Sequence, residues 1–447
     1  MDFLSLCKKI ISIESTPTTG NEEVALFCAQ LCRDFGLTVT LQEVEFLDKK
    51  QINVLARPRA IQTSQEEVIF QTHLDTVEPG PLGNWTKTDL NPYKATIEND
   101  RIYGLGTTDV KLDFLCKLRA LKEFAGKNLK RPFVLVGTFA EEIGMYGAQH
   151  LITSHAVNAK MAIIGEPSEL KIVYGNNGLM VLDFTFPFSQ TEIEYFKKQE
   201  PAASTTQEKI FLGKAAHSST PHLGDNAILK LIQYLEKMPK GTTLIGASGG
   251  VSVNTVPAEA HLEVDGGQVF DSSVGDRFLK VVGTLRKLER EFINFEAKEF
   301  SPSHPTLNMG ILKTTPQGLE LSVSFRVTPN VESAQVDAWV EKLQKICEEN
   351  QSHCKRTRFT PPALTPLNSD LVKGATEILK SMGLNHEPIT KASGTECSIY
   401  QPQGIDCVVF GPGVSVGNSH TANEYNILSQ LETAVDFYGK AVMRFCQ

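Results

Sequence analysis

The chain has 447 residues, of which 41% are hydrophobic and 21% charged, so it is an ordinary globular protein long enough for two domains or for one domain carrying an insertion. Its net charge of −8, without a basic patch, argues against nucleic acid as a partner, and no apolar run is long enough to span a membrane. Nine cysteines without a Cys-x-x-Cys pair, and a start that lacks a basic secretion signal, predict reduced thiols in a cytoplasmic protein.

Helices and strands alternate in the first part of the chain. Apolar residues at helical spacing predict helices over residues 2–12 and 21–36. Strand-like runs follow at 38–46 and 53–56, and a short β-favouring run at 68–70 ends where polar residues begin.

His73 and Asp75 follow that short run at positions i and i+2. In an extended chain this spacing puts both side chains on one face. An imidazole beside a carboxylate at the end of a buried strand is the minimal form of a metal ligand with the group that orients it. Such a pair on its own is more often a structural hydrogen bond than part of a metal site, so the other candidate residues decide between these two interpretations.

The later elements bring further polar residues to strand ends. In order, these elements are a loop over 85–103, the segment Gly104–Lys111, a helix over 112–124, an apolar strand over 132–140 that ends at Glu141-Glu142, a strand over 161–164 that ends at Gly165-Glu166, and a strand over 407–410 with His420 beyond it. Buried strands alternating with helices predict an α/β fold with a mostly parallel sheet flanked by helices. Such sheets place their sites at the carboxyl ends of the strands.

The pattern changes between residues 175 and 362, where strands alternate apolar and polar residues, as one solvated face requires. Amphipathic helices over 226–237 and 333–348 complete an α+β unit. We therefore expect a catalytic domain formed by residues 1–174 and 363–447, with an inserted lid or dimerisation domain over 175–362. Segments 190–208 and 270–300 look like additions to the inserted domain, the second largely helical.

Two imidazoles and three carboxylates stand at these strand ends: His73, Asp109, Glu142, Glu166 and His420. Each has an ordinary reading alone, such as a helix cap for Asp109 or a surface histidine for His420. Together they suit Zn²⁺, and ligand type also admits Co²⁺ or Mn²⁺. Five ligands are too many for one tetrahedral ion with an open position, and they suit two ions that share one carboxylate.

The chain is similar to the co-catalytic di-zinc family of aminoacylases, glutamate carboxypeptidases, acetylornithine deacetylases and succinyl-diaminopimelate desuccinylases. The resemblance covers nearly the whole chain. It is carried, in order, by His73-Leu-Asp75, Gly104-x-Gly-x-x-Asp109-x-Lys111, Glu141-Glu142-x-Gly144, Gly165-Glu166-Pro167, His217-Ser-Ser-x-Pro221 and Gly411-Pro-Gly followed by His420.

The resemblance implies a metal-binding role for five residues. Asp109 would be the carboxylate shared by two zinc ions, and the peptide bond after it would be cis. His73 and Glu166 would hold one ion, and Glu142 and His420 would hold the other.

The resemblance also implies catalytic roles. Asp75 would orient His73, and Glu141 would be the general base for amide hydrolysis by a water that bridges the two ions. His217, in the inserted domain, would polarise the scissile carbonyl.

Substrate contacts are implied at four further positions. Asn254 and Arg326 would bind the substrate, and the backbone of Gly394 and Thr395 would receive a substrate carboxylate. For these residues, ordinary lid structure is the alternative, and a second hairpin-like stretch around Asn308 competes with the one around Asn254.

The chain departs from the family pattern in two ways. Leu112-Asp113 follows Lys111 where the family usually has Gly-Gly. The inserted domain is longer than the minimal version, so two alternatives stay open: a homodimer that supplies His217 from the partner, or an enlarged lid that supplies it internally.

Three other functions are less well supported. Gly246-Ala-Ser248-Gly-Gly250 fits the serine-hydrolase elbow, but a strand-like pattern follows it where an elbow requires a helix. Gly104-x-Gly106-x-x-Asp109 matches only half of the dinucleotide-binding fingerprint, so it is weak evidence for a dinucleotide site. A catalytically dead binding scaffold would have lost Glu141 or a ligand, and none is lost.

The sequence thus predicts a deacylase of N-acyl amino acids. A di-zinc dipeptidase or carboxypeptidase is the alternative, because the enlarged inserted domain resembles that of some dipeptidases. Glu166 favours the deacylase or carboxypeptidase, since many related aminopeptidases and dipeptidases carry Asp at this position.

Overall fold

A computed structural model describes residues 2–59, 65–198 and 205–447. In this part of the chain the α-helices are α1 (Phe3–Ile11), α2 (Glu22–Asp34), α3 (Lys111–Leu121), α4 (Tyr146–Thr153), α5 (Gln190–Lys198), α6 (Ala227–Leu235), α7 (Val274–Glu291), α8 (Ser333–Glu349), α9 (Asp370–Ser381), α10 (Cys397–Tyr400) and α11 (Leu428–Phe445). The strands are β1 (Thr38–Phe46), β2 (Lys49–Arg57), β3 (Glu67–His73), β4 (Thr96–Glu98), β5 (Arg101–Tyr103), β6 (Phe133–Thr138), β7 (Ala159–Gly165), β8 (Val173–Asn176), β9 (Gly178–Pro187), β10 (Thr206–Leu212), β11 (Thr242–Gly249), β12 (Glu259–Val269), β13 (Thr306–Thr315), β14 (Gly318–Val327), β15 (His353–Thr360), β16 (Ala363–Leu364), β17 (Ile389–Lys391), β18 (Asp406–Val409) and β19 (Tyr425–Ile427).

The chain divides into two compact units. The first consists of Met1–Gly175, Leu364–Ile389 and Thr395–Gln447, and the second of Asn176–Ala363 and Thr390–Gly394. The boundaries at Gly175 and Leu364 each lie one residue from the expected domain boundaries. The expectation had left residues 390–394 in the catalytic domain, whereas the structure places them in the second unit.

The first unit is built on a sheet in the order β1-β2-β6-β3-β7-β18-β8-β16, with β17 paired to β8. Strands β6, β3, β7 and β18 are mutually parallel. At one margin β1 and β2 form an antiparallel hairpin whose two turn residues, Leu47 and Asp48, both have positive φ, and at the other margin β8 pairs antiparallel with β18. The parallel arrangement predicted from the sequence thus applies to the centre of the sheet, which is where the candidate residues lie.

Two of the central strands, β3 and β6, are buried along their whole length, which explains their continuous apolar runs. Every residue of β3 and β6 is buried, and α3 is almost wholly buried beside them. The core of this unit also includes side chains from α1, α2, α9 and α11. A parallel sheet covered in this way exposes polar groups only at its strand ends.

The segment predicted as a loop over 85–103 contains two short strands. β4 and β5 form a hairpin around Asn99 and Asp100, and β19 pairs with β5. Three-residue strands are too short to show an alternating pattern, so only the turn was visible in the sequence. This small sheet holds the segment after His420 beside Gly104, whose N–H donates to the carbonyl of Glu424 at 2.9 Å.

The second unit is a seven-stranded antiparallel sheet in the order β10-β12-β11-β13-β14-β9-β15. Helices α6, α7 and α8 contribute to a core with alternate residues of these strands, as an α+β unit requires. Segment 270–300 contains α7, which begins with a capping box between Ser273 and Asp276. Segment 190–208 contains α5 and the start of β10, and its residues 199–204 lie outside the described residues. Among the described helices, none is long and apolar enough to cross a bilayer.

Candidate metal centre and catalytic site

The carboxyl ends of neighbouring parallel strands carry four of the five candidate ligands, and the fifth, Asp109, lies between β5 and α3. His73 is the last residue of β3, and Glu166 follows β7 directly. Glu141 and Glu142 follow β6 after two residues, and His420 lies in the loop that continues from β18. Because parallel strands end at one edge of a sheet, residues far apart in sequence meet there.

His73 is fully buried, and a backbone contact fixes the role of one ring nitrogen. Its Nδ1 lies 3.1 Å from the carbonyl oxygen of Asp75, so Nδ1 donates and Nε2 is left to face the carboxylates. Nε2 lies 3.2 Å from Oδ1 of Asp109 and 3.9 Å from Oε1 of Glu166. The ring is therefore oriented with Nε2 toward two carboxylates.

His420 approaches two carboxylates from the other side of Asp109. Its Nε2 lies 3.1 Å from Oε1 of Glu142 and 3.3 Å from Oδ2 of Asp109. The two oxygens of Asp109 thus face different imidazoles, which is the geometry expected of a shared ligand.

The backbone at Asp109 is held in place by Glu424, a residue that the sequence analysis did not identify. Oε1 of Glu424 accepts the N–H groups of Thr108 at 2.8 Å and Asp109 at 3.1 Å. The Asp109–Val110 peptide bond is cis, which confirms the expectation from the resemblance. Glu424 lies four residues after His420, and this closeness to a candidate ligand was the signal in the sequence that could have identified it.

Asp75 supports the turn that carries Glu141 and Glu142. Its two carboxylate oxygens accept the backbone N–H groups of Glu141 and Glu142, each at 3.1 Å. The nearer partner of His73 is the main-chain carbonyl of Asp75, because the Asp75 carboxylate is 3.6 Å from Nδ1. Asp75 therefore positions the ring through its backbone and the Glu141–Glu142 turn through its side chain.

The pKa values in this cluster depend strongly on burial and on the neighbouring charges. Burial opposes the charged form of Asp109, but hydrogen bonds with His420 and His73 hold its pKa below the ordinary value. Burial also raises the pKa of Glu141 well above its ordinary range. Partial burial acts to lower the pKa of His420, yet Asp109 and Glu142 raise it to about 11. Several carboxylates thus compete for positive charge in a small volume.

The donor set fits divalent cations. Ligand atoms lie within 4.8 Å of one another in three groups: His73, Asp109 and Glu166; Asp109, Glu142 and His420; and His73, Glu141 and Glu142. An imidazole lone pair that faces a carboxylate oxygen is repulsive unless a proton or a cation lies between them. Mixed imidazole and carboxylate ligands match Zn²⁺ and similar ions, and the first two groups share Asp109.

The second unit brings His217, Asn254 and Arg326 into one cluster. Nδ1 of His217 accepts the backbone N–H of Ser219 at 3.2 Å and lies 2.7 Å from the Ser219 hydroxyl. An Nδ1 that accepts leaves the ring hydrogen on Nε2, so neutral His217 is a hydrogen-bond donor at Nε2. Nη2 of Arg326 donates to Oγ of Ser218 at 3.0 Å and to Oδ1 of Asn254 at 3.5 Å.

Asn308, the competing hairpin residue, has a structural role. It is 2% exposed, and its Nδ2 donates to the carbonyls of Val253 at 3.3 Å and Thr255 at 3.1 Å. Those two carbonyls flank Asn254, so Asn308 supports the loop that presents Asn254.

The predicted carboxylate-binding turn lies where the chain passes between units. Gly394 belongs to the second unit and Thr395 to the first. Thr395 is fully buried, and its hydroxyl accepts the N–H of Cys397 at 3.3 Å at the start of α10. Its carbonyl accepts the N–H of Ser398 at 3.0 Å.

The rejected serine-hydrolase motif lies within a strand. Ser248 is inside β11, paired with His261 of β12 and Lys313 of β13. A nucleophile elbow requires a sharp turn from strand to helix, so this serine is not one.

Known proteins resemble this chain in sequence and in fold. The sequence profile of peptidase family M20/M25/M40 matches residues 69–444. An acetylornithine deacetylase of Aliivibrio salmonicida is 32% identical over 463 aligned positions, which cover 100% of this chain and 99% of that protein. An acetylornithine deacetylase of Vibrio parahaemolyticus is 30% identical, covering 99% of this chain and 98% of that protein.

Solved structures share the fold at low sequence identity. An aminoacylhistidine dipeptidase from Vibrio alginolyticus has a TM-score of 0.69 at 17% identity, covering 99% of this chain and 96% of that one. An M20 family metallo-carboxypeptidase from Sulfolobus solfataricus has a TM-score of 0.63 at 19% identity, covering 98% of both chains.

Proposed function

The chain belongs to peptidase family M20/M25/M40 and is a metal-dependent amide hydrolase, and we propose that its substrates are N-acyl amino acids. The observation that carries the proposal is the similarity, at 32% identity over the full length of both chains, to an acetylornithine deacetylase. The buried guanidinium of Arg326, placed beside Asn254 and the His217 segment, supports a substrate that carries a free carboxylate.

The proposed metal site holds two zinc ions. His73 and Glu166 would bind one, Glu142 and His420 the other, and Asp109 would bind both. Ligand type also admits Co²⁺ or Mn²⁺. When bound, such a pair lowers the pKa of a water molecule and polarises a carbonyl group. The distances from the two Asp109 oxygens to the two imidazoles support the sharing.

Glu141 is the proposed general base. It accepts a proton from the attacking water and later returns it to the leaving amine. Burial raises its pKa, and this greater proton affinity suits a group that both takes and returns a proton. Asp75 fixes the turn so that Glu141 and Glu142, as successive residues, can serve different functions.

His217 is the proposed donor to the developing oxyanion. The tautomer set by Ser219 places a hydrogen on Nε2, which is what a donor requires. Two alternatives are retained for the source of His217: the same chain, or the partner in a homodimer formed through the second unit.

A dipeptidase is the second candidate, since an aminoacylhistidine dipeptidase shares the fold with a TM-score of 0.69. A panel of N-acetyl amino acids and of dipeptides with free amino termini, assayed with zinc, separates the two. We expect hydrolysis of the N-acetyl compounds. Cleavage of the dipeptides alone would contradict the proposed substrate class and leave the metal chemistry in place.

Arg326→Ala should raise the KM for N-acetyl amino acids about 10- to 100-fold, because a charge-assisted hydrogen bond to the substrate carboxylate is lost. Metal content, measured by elemental analysis, should not change. The matched control is Arg356→Ala, which removes an exposed guanidinium that pairs with Asp337 at 2.7 Å in the same unit. An unchanged KM in the Arg326 variant would remove this residue from the substrate site.

A further inference from the structure

A second arginine lies near Arg326 in the sheet of the second unit. Strand β9 is flanked by β14 and β15, and Val181 of β9 is opposite Ser324 on one side and Arg358 on the other. Arg326 is two residues beyond Ser324, opposite Leu179. Since side chains two residues apart share a face, Arg326 and Arg358 project from the same face of the sheet.

That face is the one without helices. Met180 and Leu182 of β9, and Phe325 of β14, belong to the core formed with α6, α7 and α8. The residues that alternate with them, Leu179 and Val181, therefore point to the opposite face, and the two arginines lie on either side of them.

Neither arginine is neutralised by a described residue of the chain. No carboxylate oxygen of a described residue lies within 4.0 Å of Arg326 or Arg358. The Nε atoms of both are buried and have no hydrogen-bond partner among the described residues. Along this face, the carboxylate that follows Val181 is Asp183, which is opposite Lys355 in the register.

Two guanidinium groups on one face of the sheet without a counter-ion are unfavourable until an anion binds. Burial, and then the charge of Arg358, lowers the pKa of Arg326 to about 10. A buried N–H without an acceptor carries a further cost, and a guanidinium fork matches a carboxylate. One carboxylate would leave one positive charge uncompensated, whereas two carboxylates would neutralise both.

We propose that Arg358 is a specificity-determining residue that binds a second acidic group of the substrate, while Arg326 binds the α-carboxylate. The preferred substrates are then N-acyl amino acids with two carboxylates, either in the side chain or in the acyl group. This inference rests on the proposed deacylase function. It separates this chain from a deacylase of acetylornithine, whose side chain is a cation.

The test compares kcat/KM of the zinc-loaded enzyme for N-acetylglutamate, N-succinylmethionine, N-acetylmethionine and N-acetylornithine. We expect at least one dicarboxylate to exceed both N-acetylmethionine and N-acetylornithine about 10-fold or more. Arg358→Gln should lower the ratio of dicarboxylate to N-acetylmethionine activity about 10- to 100-fold, and Arg358→Lys should retain part of it. The control, Lys355→Gln on the same strand and face, should leave the ratio unchanged.

The outcomes distinguish this inference from the proposed function. Equal or better wild-type activity on N-acetylmethionine or N-acetylornithine overturns the two-carboxylate preference, even if no variant folds. A ratio that Arg358→Gln does not alter overturns the role of Arg358. Cleavage of none of these compounds, with free dipeptides hydrolysed, overturns the deacylase function itself.

Discussion

Replacing Glu141 by alanine is expected to lower kcat by about two to four orders of magnitude, which is the typical contribution of a positioned general base. The side chain lies beside a proposed ligand, and Asp75 holds the backbone of both residues. The variant should therefore keep its fold and its metal. Steady-state kinetics and elemental analysis of the same preparation measure both effects.

The matched control is Glu142→Ala, one residue along the same turn. Because Glu142 lies 3.1 Å from His420 beside the shared Asp109, its loss should reduce metal content together with activity. Glu141 also lies in a possible ligand group with His73 and Glu142, so the alternative is that Glu141 is the metal ligand of this turn. If the Glu141 variant loses metal and the Glu142 variant keeps it, the roles of base and ligand are exchanged.

Replacing Lys117 by methionine is expected to destabilise the first unit by about 3–5 kcal/mol, because it leaves a buried carboxylate without its cation. Lys117 and Asp113 are fully buried one helical turn apart on α3, and their side chains pair at 2.7 Å. Asp113 also accepts the hydroxyls of Thr72 at 2.7 Å and Tyr438 at 2.5 Å. The pair fills the space beside Gly165, where an added Cβ would overlap Oδ2 of Asp113.

Tryptophan fluorescence can report this loss for one unit alone. Trp85 is in the first unit and Trp339 in the second, and both are buried. In a Trp339→Phe background, urea unfolding followed through Trp85 should show a lower midpoint for Lys117→Met. Lys87→Met, which removes an exposed ion pair with Glu98, should shift the midpoint far less.

The double variant Lys117→Met with Asp113→Leu should recover part of the lost stability, since an apolar pair of similar volume replaces the unpaired charge. Recovery would be incomplete because the Thr72 hydroxyl loses its acceptor, whereas the Tyr438 hydroxyl keeps the carbonyl of Phe410 at 3.0 Å. If Lys117→Met were as stable as the parent protein, the pair of Lys117 and Asp113 would not stabilise the first unit.

The sequence predicted the parts of the structure that have a local signature. Continuous apolar runs indicated β3, β6 and β7, and polar residues at their ends indicated the positions of His73, Glu142 and Glu166. The alternating strands of the second unit were equally visible, since one solvated face produces a period of two. The structure adds that the five candidate ligands meet in groups joined by Asp109.

Contacts between distant segments could not be predicted in this way. Glu424 binds the backbone at Asp109 from more than 300 positions away in the sequence. The departure at Asp113 was visible, but its pairing with Lys117 and Tyr438 depends on how α3 and α11 pack. Arg358 shares a face with Arg326 only through the register of β9 with its two neighbours, and a bulge in β15 sets that register.

Five side chains are proposed to form one site for two metal ions, so the number of ions bound per chain is the decisive measurement. Metal-free protein, prepared with a chelator, is titrated with Zn²⁺ and analysed for bound metal after gel filtration. We expect two ions per chain for the wild type and a loss from both positions in Asp109→Ala, because Asp109 faces both imidazoles. A single ion in fully active wild-type protein, or two ions retained by Asp109→Ala, would contradict the shared site.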